Sequence, residues 1–211
     1  MNPGFHRLHS LRMENDAKGF AMDEMRPRFA ALASRHEDGT APRAVSAYQL
    51  FQTPPELAAR LVGLLGSPSR VLEPSAGLGR LLDHIPYEAV AVEQSPQLCA
   101  ELYRQNRGNV RLIQRDFLTV EPGDCGYFDG IAMNPPFHMR SDIAHILHAR
   151  TFLAPGGRLA ALAMDTHHRE TALRHLCTTW EHIPAGTFRS EGTGVACVLL
   201  TITQPSNPLH L

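Results

Sequence analysis

What most constrains the fold of this chain is a repeating order of short apolar runs and helical stretches separated by turn residues. Apolar segments recur at 70–73, 89–93, 110–115, 128–133 and 158–164, each only a few residues long. Between them lie stretches with helical spacing at 53–65, 77–84, 96–107, 141–152 and 168–180, punctuated by Gly66-Ser67-Pro68, Gly108 and Pro155-Gly156-Gly157. Thr53 reads as the N-cap of the first of these, with prolines tolerated in its first turn. Short strands that are apolar throughout, each joined to the next by a helix, imply a parallel sheet covered on both faces. The last two apolar runs, 182–188 and 195–203, have no helix between them. A turn at Glu191-Gly192-Thr193-Gly194 joins them as an antiparallel pair. The expectation is a doubly wound, seven-stranded, mostly parallel α/β sheet of the Rossmann-like kind.

At 211 residues the chain suits one domain with a small appendage. Residues 1–47 carry scattered apolar positions among many charges and read as a helical N-terminal arm divided at Pro27. Residues 48–204 hold the alternating pattern, and 205–211 read as a loose polar tail. The formal net charge is -1, and Lys18 is the only lysine, so the basic surplus of a free-standing nucleic-acid binder is missing. Any nucleic-acid site must be assembled locally by folding. Cys99, Cys125, Cys177 and Cys197 are far apart with no CxxC pair, which argues against a zinc site or a disulfide framework; no metal is expected. No leader and no apolar run of about 18 residues is visible, so the default expectation is a cytoplasmic protein without membrane contact.

Two segments carry chemistry. The first is Val71-Leu72-Glu73-Pro74-Ser75-Ala76-Gly77-Leu78-Gly79-Arg80: a strand, an acid, a two-glycine turn, then a helix. Glycines let backbone approach a ligand closely, and ligands of doubly wound sheets lie at strand C-terminal ends. A dinucleotide turn would have a third glycine where Leu82 stands. Glu93 closes the second strand, where a carboxylate can accept from both hydroxyls of a ribose. Asp116 and Phe117 close the third; the acid can take an adenine amino group and the ring can pack on the purine face. The acids at three successive strand ends, Glu73, Glu93 and Asp116, line one edge of the sheet together with Ser75, Gly77 and Gly79.

The second segment is Asn134-Pro135-Pro136-Phe137, delivered to the same edge by the fourth strand. The exocyclic amine of a nucleobase is a poor nucleophile because its lone pair is delocalised into the ring. Two acceptors aimed at its N–H groups localise that pair, and the Asn134 amide oxygen and the Pro135 carbonyl suit this role. The prolines restrict the backbone that holds them. Phe137 can stack on a flat substrate.

With these motifs in place, residues 48–203 resemble a class I S-adenosylmethionine-dependent methyltransferase of the amino-directed type. Phe51-Gln52-Thr53-Pro54 resembles the element of bacterial and phage DNA adenine-N6 methyltransferases that holds the methionine end of the cofactor. The resemblance implies S-adenosyl-L-methionine as cofactor, with Thr53, Glu73 and Gly77 near its amino-acid end. It implies a nucleic-acid substrate, DNA ahead of RNA. The large target-recognition domain of sequence-specific DNA enzymes is missing, so low sequence specificity is expected. His138 and Arg140 after the fourth strand, and His167 and His168 after the fifth, are the candidate substrate contacts. Three alternatives remain at this level: an RNA methyltransferase acting on guanine N2 or adenine N6, a protein glutamine methyltransferase, and a methyltransferase-like binding protein without turnover. Phe137, where the glutamine enzymes carry Tyr, weighs against the second.

Overall fold

The structure, a computed structural model, describes residues 52–189 and 194–206. The expectations for the N-terminal arm, for Phe51, for most of the 191–194 turn and for most of the tail lie outside the described residues.

The described chain runs α1 (Pro55–Gly63), β1 (Arg70–Glu73), β2 (Glu88–Glu93), α2 (Pro96–Arg104), β3 (Val110–Gln114), α3 (Pro122–Cys125), β4 (Phe128–Met133), α4 (Ser141–Ala149), β5 (Leu153–Met164), α5 (His167–Leu173), β6 (Thr179–Ile183) and β7 (Cys197–Thr203). The strands form one seven-stranded sheet in the order β3-β2-β1-β4-β5-β7-β6. β1 to β5 run parallel, and β7 lies antiparallel between β5 and β6. The order reverses beside β1, and there the C-terminal ends of β1, β2 and β4 open a crevice for a ligand.

Side chains alternate between the two faces of the sheet, and both faces are buried over the central strands, while the edge strands β3 and β6 are partly exposed. Val71, Ala89, Ala91, Ala160 and Leu162 pack on one side against Leu57, Leu61 and Leu82. Leu72, Val90, Val92, Ile131, Leu159 and Ala161 pack on the other against Ile146, Phe152 and Leu173. This explains why the strands read as apolar runs: each position in turn meets a helix. The cysteines behave as small hydrophobes. Burial pushes the Cys177 thiol up to about 11 and Cys197 to about 12.

Several boundaries differ from the sequence reading. The helix expected over 77–84 does not form; turns lead only to a 3₁₀ turn at Leu82–His84. Gly77 and Gly79 adopt φ of 55° and 81°, a left-handed geometry that stops a helix from propagating through them. Pro155-Gly156-Gly157 does not precede β5 but lies within it, where the register with β4 shifts between Phe128 and Gly130. A Cβ on Gly157 would stand 2.9 Å from the carbonyl oxygens of Phe128 and Ala154, so the close approach needs glycine. β6 begins at Thr179 rather than 182, because Thr179 and Trp180 favour strand over the end of a helix. Among the described residues, no helix is long and apolar enough to cross a membrane.

Candidate active site

Glu73 ends β1 and is 2% exposed. Among the described residues its Oε2 is buried without a hydrogen-bond partner. Burial pushes its carboxyl well above the ordinary value; Arg107 opposes this, Asp83 and Glu93 reinforce it, and the Leu82 amide donates to it. A buried carboxyl oxygen left in this way at the end of β1 is an environment that a cationic ligand group would complete.

From there the chain turns through Ser75-Ala76-Gly77-Leu78-Gly79 and is stitched to β2. The Ala76 amide donates to the Val92 carbonyl at 3.0 Å. The Gly77 amide donates to Glu93 Oε2 at 2.9 Å, and the Ser95 amide to Glu93 Oε1 at 2.8 Å. Glu93 thus fixes both the glycine turn and the start of α2. A carboxylate offers about four lone-pair sites, so two remain for a ligand hydroxyl pair. Gly79 is the tight point of the turn: a Cβ there would come within 2.9 Å of Leu102 and the Arg107 guanidinium. Ser75 Oγ lies 3.3 Å from Nδ1 of His145 on α4. Burial pushes the His145 imidazole below its ordinary value, with Asp116 and Asp142 opposing and His148 assisting. His145 is a site neighbour that the sequence reading missed.

At the end of β3, Asp116 is exposed and its carboxylate accepts from the Leu118 amide at 3.0 Å, capping a 3₁₀ turn. Phe117 needs correcting. Its ring is 2% exposed and packs on His148 and Phe152, with centroids 4.9 and 5.4 Å away. A ring held in the core between β3 and α4 is not presented to a purine. Sequence order places the residue at the strand end but does not say which way its ring turns.

β4 then delivers Asn134-Pro135-Pro136-Phe137. Asn134 Nδ2 donates to Thr53 Oγ1 at 3.0 Å, joining the chain ahead of α1 to the β4 end. Thr53 is therefore not the N-cap of α1; Pro54 holds that position with no side-chain cap, and the Thr53 hydroxyl serves Asn134 instead. The carbonyls of Pro136, Phe137 and His138 accept inside the protein. Ser141 Oγ shares its proton between Pro136 O (2.6 Å) and His138 O (2.7 Å), and Arg169 Nη2 donates to Phe137 O at 3.2 Å. Phe137 is buried against the face that also holds Ile183 and Phe188, so stacking on a substrate would first require the ring to be uncovered.

Arg169 also departs from expectation. It reads as a rim residue in sequence, yet it is buried and paired bidentately with the fully buried Asp142, Nε to Oδ2 at 2.9 Å and Nη2 to Oδ1 at 3.1 Å. Asp142 Oδ2 also accepts from the Met164 amide at 3.3 Å. No local pattern links two positions 27 residues apart, so the pair was not legible in sequence. The four candidate substrate contacts, His138, Arg140, His167 and His168, are all exposed. Arg140 Nη1 lies 3.2 Å from His168 Nε2, within hydrogen-bond distance. Met139 and Arg140 both have positive φ, 49° and 65°, and Met139 is 86% exposed. Two successive non-glycine residues in this region store strain that the surrounding contacts must hold.

Residues 75–187, more than half of the chain and spanning the glycine turn, the Asn-Pro-Pro-Phe loop and β6, match the methyltransferase small domain family. The chain belongs to that family. Its members are S-adenosylmethionine-dependent methyltransferases, and S-adenosylmethionine is the cofactor. Among solved structures, this methyltransferase is similar to TrmN from Thermus thermophilus (21% identity over 71% of this chain and 48% of that chain, TM-score 0.57). It is also similar to the N-methyltransferase NodS from Bradyrhizobium japonicum WM9 in complex with S-adenosyl-L-homocysteine (18%, 72% and 85%, TM-score 0.55). A third is the M. jannaschii tRNA m1G37 methyltransferase (12%, 77% and 54%, TM-score 0.55). The chain spans about half the length of TrmN and of the m1G37 enzyme. At these identities the likeness is one of fold. No protein of curated function matches the sequence significantly.

Proposed function

We propose that this methyltransferase modifies an exocyclic amino nitrogen of a nucleobase, adenine N6 in DNA being the first reading, with low sequence specificity. The observation that carries it is the fixed Asn134 loop. With Nδ2 engaged by Thr53, the amide's acceptor oxygen is its other end. The carbonyls of Pro136, Phe137 and His138 accept internally, and the Pro135 carbonyl comes immediately before them. In this reading Asn134 Oδ1 and Pro135 O serve as the acceptor pair for the two N–H groups of a planar amine, on a backbone restricted by two prolines. As methyl transfer raises the positive charge on that nitrogen, both acceptors hold its protons more tightly, which lowers the barrier.

The cofactor supplies an electrophilic sulfonium methyl. In this reading Glu73 Oε2 meets the ammonium group of its amino-acid end, and Ser75, Gly77 and Gly79 pass close to the same moiety. Glu93 accepts from the ribose hydroxyls, and the exposed Asp116 meets the adenine amino group. Phe117 shapes this site from beneath rather than stacking on the purine. Thr53 serves the site through Asn134. In this reading the exposed His138 and Arg140 of the loop and His167 and His168 of α5 meet phosphate or an extruded base.

The Thr53–Pro54 element supports DNA adenine, because it now has a bonded role beside Asn134. RNA is the second reading, favoured by exposed His138 directly after the box. The test is transfer of tritiated methyl groups to unmethylated DNA, to transcribed RNA and to a protein pool, followed by nucleoside mass analysis. Label in N6-methyladenine from DNA is expected. Label only in guanine moves the substrate to RNA, and label only in glutamine removes the nucleobase reading.

A further inference from the structure

The loop that carries Asn134 is exposed at Met139 and has two successive residues at positive φ, and besides its bonds to Thr53 and Ser141 it is held by a buried ion pair. Arg169 comes from α5 and Asp142 from the first turn of α4. Their bidentate contact leaves Nη2 also bonded to Phe137 O, while Nη1 reaches Thr166 Oγ1 at 3.4 Å. Asp142 in turn holds the Met164 amide where β5 ends. The pair thus links the segment after β4 and the end of β5 with the starts of α4 and α5, and it holds the loop at the Phe137 carbonyl. A guanidinium fork holds direction as well as distance, which a lysine ammonium does not.

We propose that Arg169, oriented by Asp142, is a positioning residue for methyl transfer: it fixes the Phe137 carbonyl and so aims the acceptors of Asn134 and Pro135. This rests on the reading of that loop as the catalytic element. The bonds of the pair run to Phe137, Thr166 and Met164, away from the glycine turn that carries Gly77 and Gly79. Loss of the pair should therefore show in turnover and in the order of the loop, not in cofactor affinity.

Arg169→Met alone leaves Asp142 buried and unpaired and is expected to unfold readily. Two other variants separate positioning from stability. Arg169→Lys keeps a cation beside Asp142 but lacks the second arm to Phe137 O. The double variant Asp142→Leu/Arg169→Met replaces the pair with apolar volume, a change that such sites often tolerate in stability. Three quantities are read for each: amide exchange by mass spectrometry over residues 137–141 and over β1 and β2, S-adenosylhomocysteine affinity by calorimetry, and kcat for tritiated methyl transfer to unmethylated DNA and transcribed RNA.

The proposal expects exchange over 137–141 at least tenfold faster, β1 and β2 unchanged, affinity within twofold of wild type, and kcat down at least tenfold in both variants. Wild-type exchange in the loop, or a folded double variant that turns over at the wild-type rate, overturns it. Asn134→Ala separates the two levels. If that variant retains transfer, the reading of the loop as catalytic has failed. If it is inactive while Arg169→Lys is fully active, only the positioning role has failed.

Discussion

Replacing Glu73 with Gln should change how the protein's stability depends on pH, and the sign follows from the site. Burial holds the Glu73 carboxyl well above its ordinary value of 4.5, with Asp83 and Glu93 adding to the shift and Arg107 opposing it. Over the window between those two values the native chain keeps a proton that the unfolded chain releases. The unfolded state then binds about one proton fewer, and the stability contributed by this group falls by about 1.4 kcal/mol per pH unit. The contribution is complete below the ordinary value and lost as pH rises toward the raised one. In a domain of this size about 1 kcal/mol moves Tm by about 2–4 °C, so the effect is about 3–6 °C per pH unit. Glutamine keeps an oxygen for the Leu82 amide and has no charge to lose. Calorimetric melts of both proteins from pH 5 to 8 give a difference curve in which other titrating groups cancel. The wild-type Tm should fall relative to the variant as pH rises, and saturating S-adenosylhomocysteine should narrow the gap by supplying an ammonium partner for Oε2. Parallel melting curves at every pH would refute the argument, because they would mean that Glu73 titrates alike in both states.

Glu93→Ala removes the acceptor of the Gly77 and Ser95 amides, so a stability loss of about 1–3 kcal/mol and at least tenfold weaker S-adenosylhomocysteine binding are expected by melting and calorimetry. Unchanged affinity would remove its ribose role. Thr53→Val keeps the shape of the side chain but deprives Asn134 Nδ2 of its acceptor. A kcat loss of about tenfold to a hundredfold is expected, equivalent to about 1.4–2.7 kcal/mol, with cofactor affinity within twofold. Loss of affinity instead would place Thr53 on the cofactor, and Thr53→Ser should restore much of the rate.

The architecture was legible because each strand of a doubly covered sheet is apolar throughout, and because glycine or proline punctuates nearly every connection. The three strand-end acids were legible for a related reason: a charge that directly follows such a run has to emerge at the sheet edge. Side-chain direction was not legible. Phe117 and Arg169 both follow strand ends, and both turn inward, one into a ring cluster with His148 and Phe152 and the other onto Asp142. These orientations are decided by partners on α4 and the turn that follows it, distant in sequence. The Gly77–His84 stretch failed in the opposite way. Its apolar spacing suits a helix, but a turn that must bring Gly77 onto Glu93 holds both glycines at positive φ and leaves room for only a 3₁₀ turn.

The central claim is that Asn134 acts on the amino nitrogen and not on the cofactor. Asn134→Ala, assayed for tritiated methyl transfer alongside S-adenosylhomocysteine calorimetry, tests it directly. The account predicts a fall in kcat of at least a hundredfold, about 2.7 kcal/mol of transition-state stabilisation, with cofactor affinity within twofold of wild type. Transfer at the wild-type rate, or a rate loss fully explained by weaker cofactor binding, would contradict it.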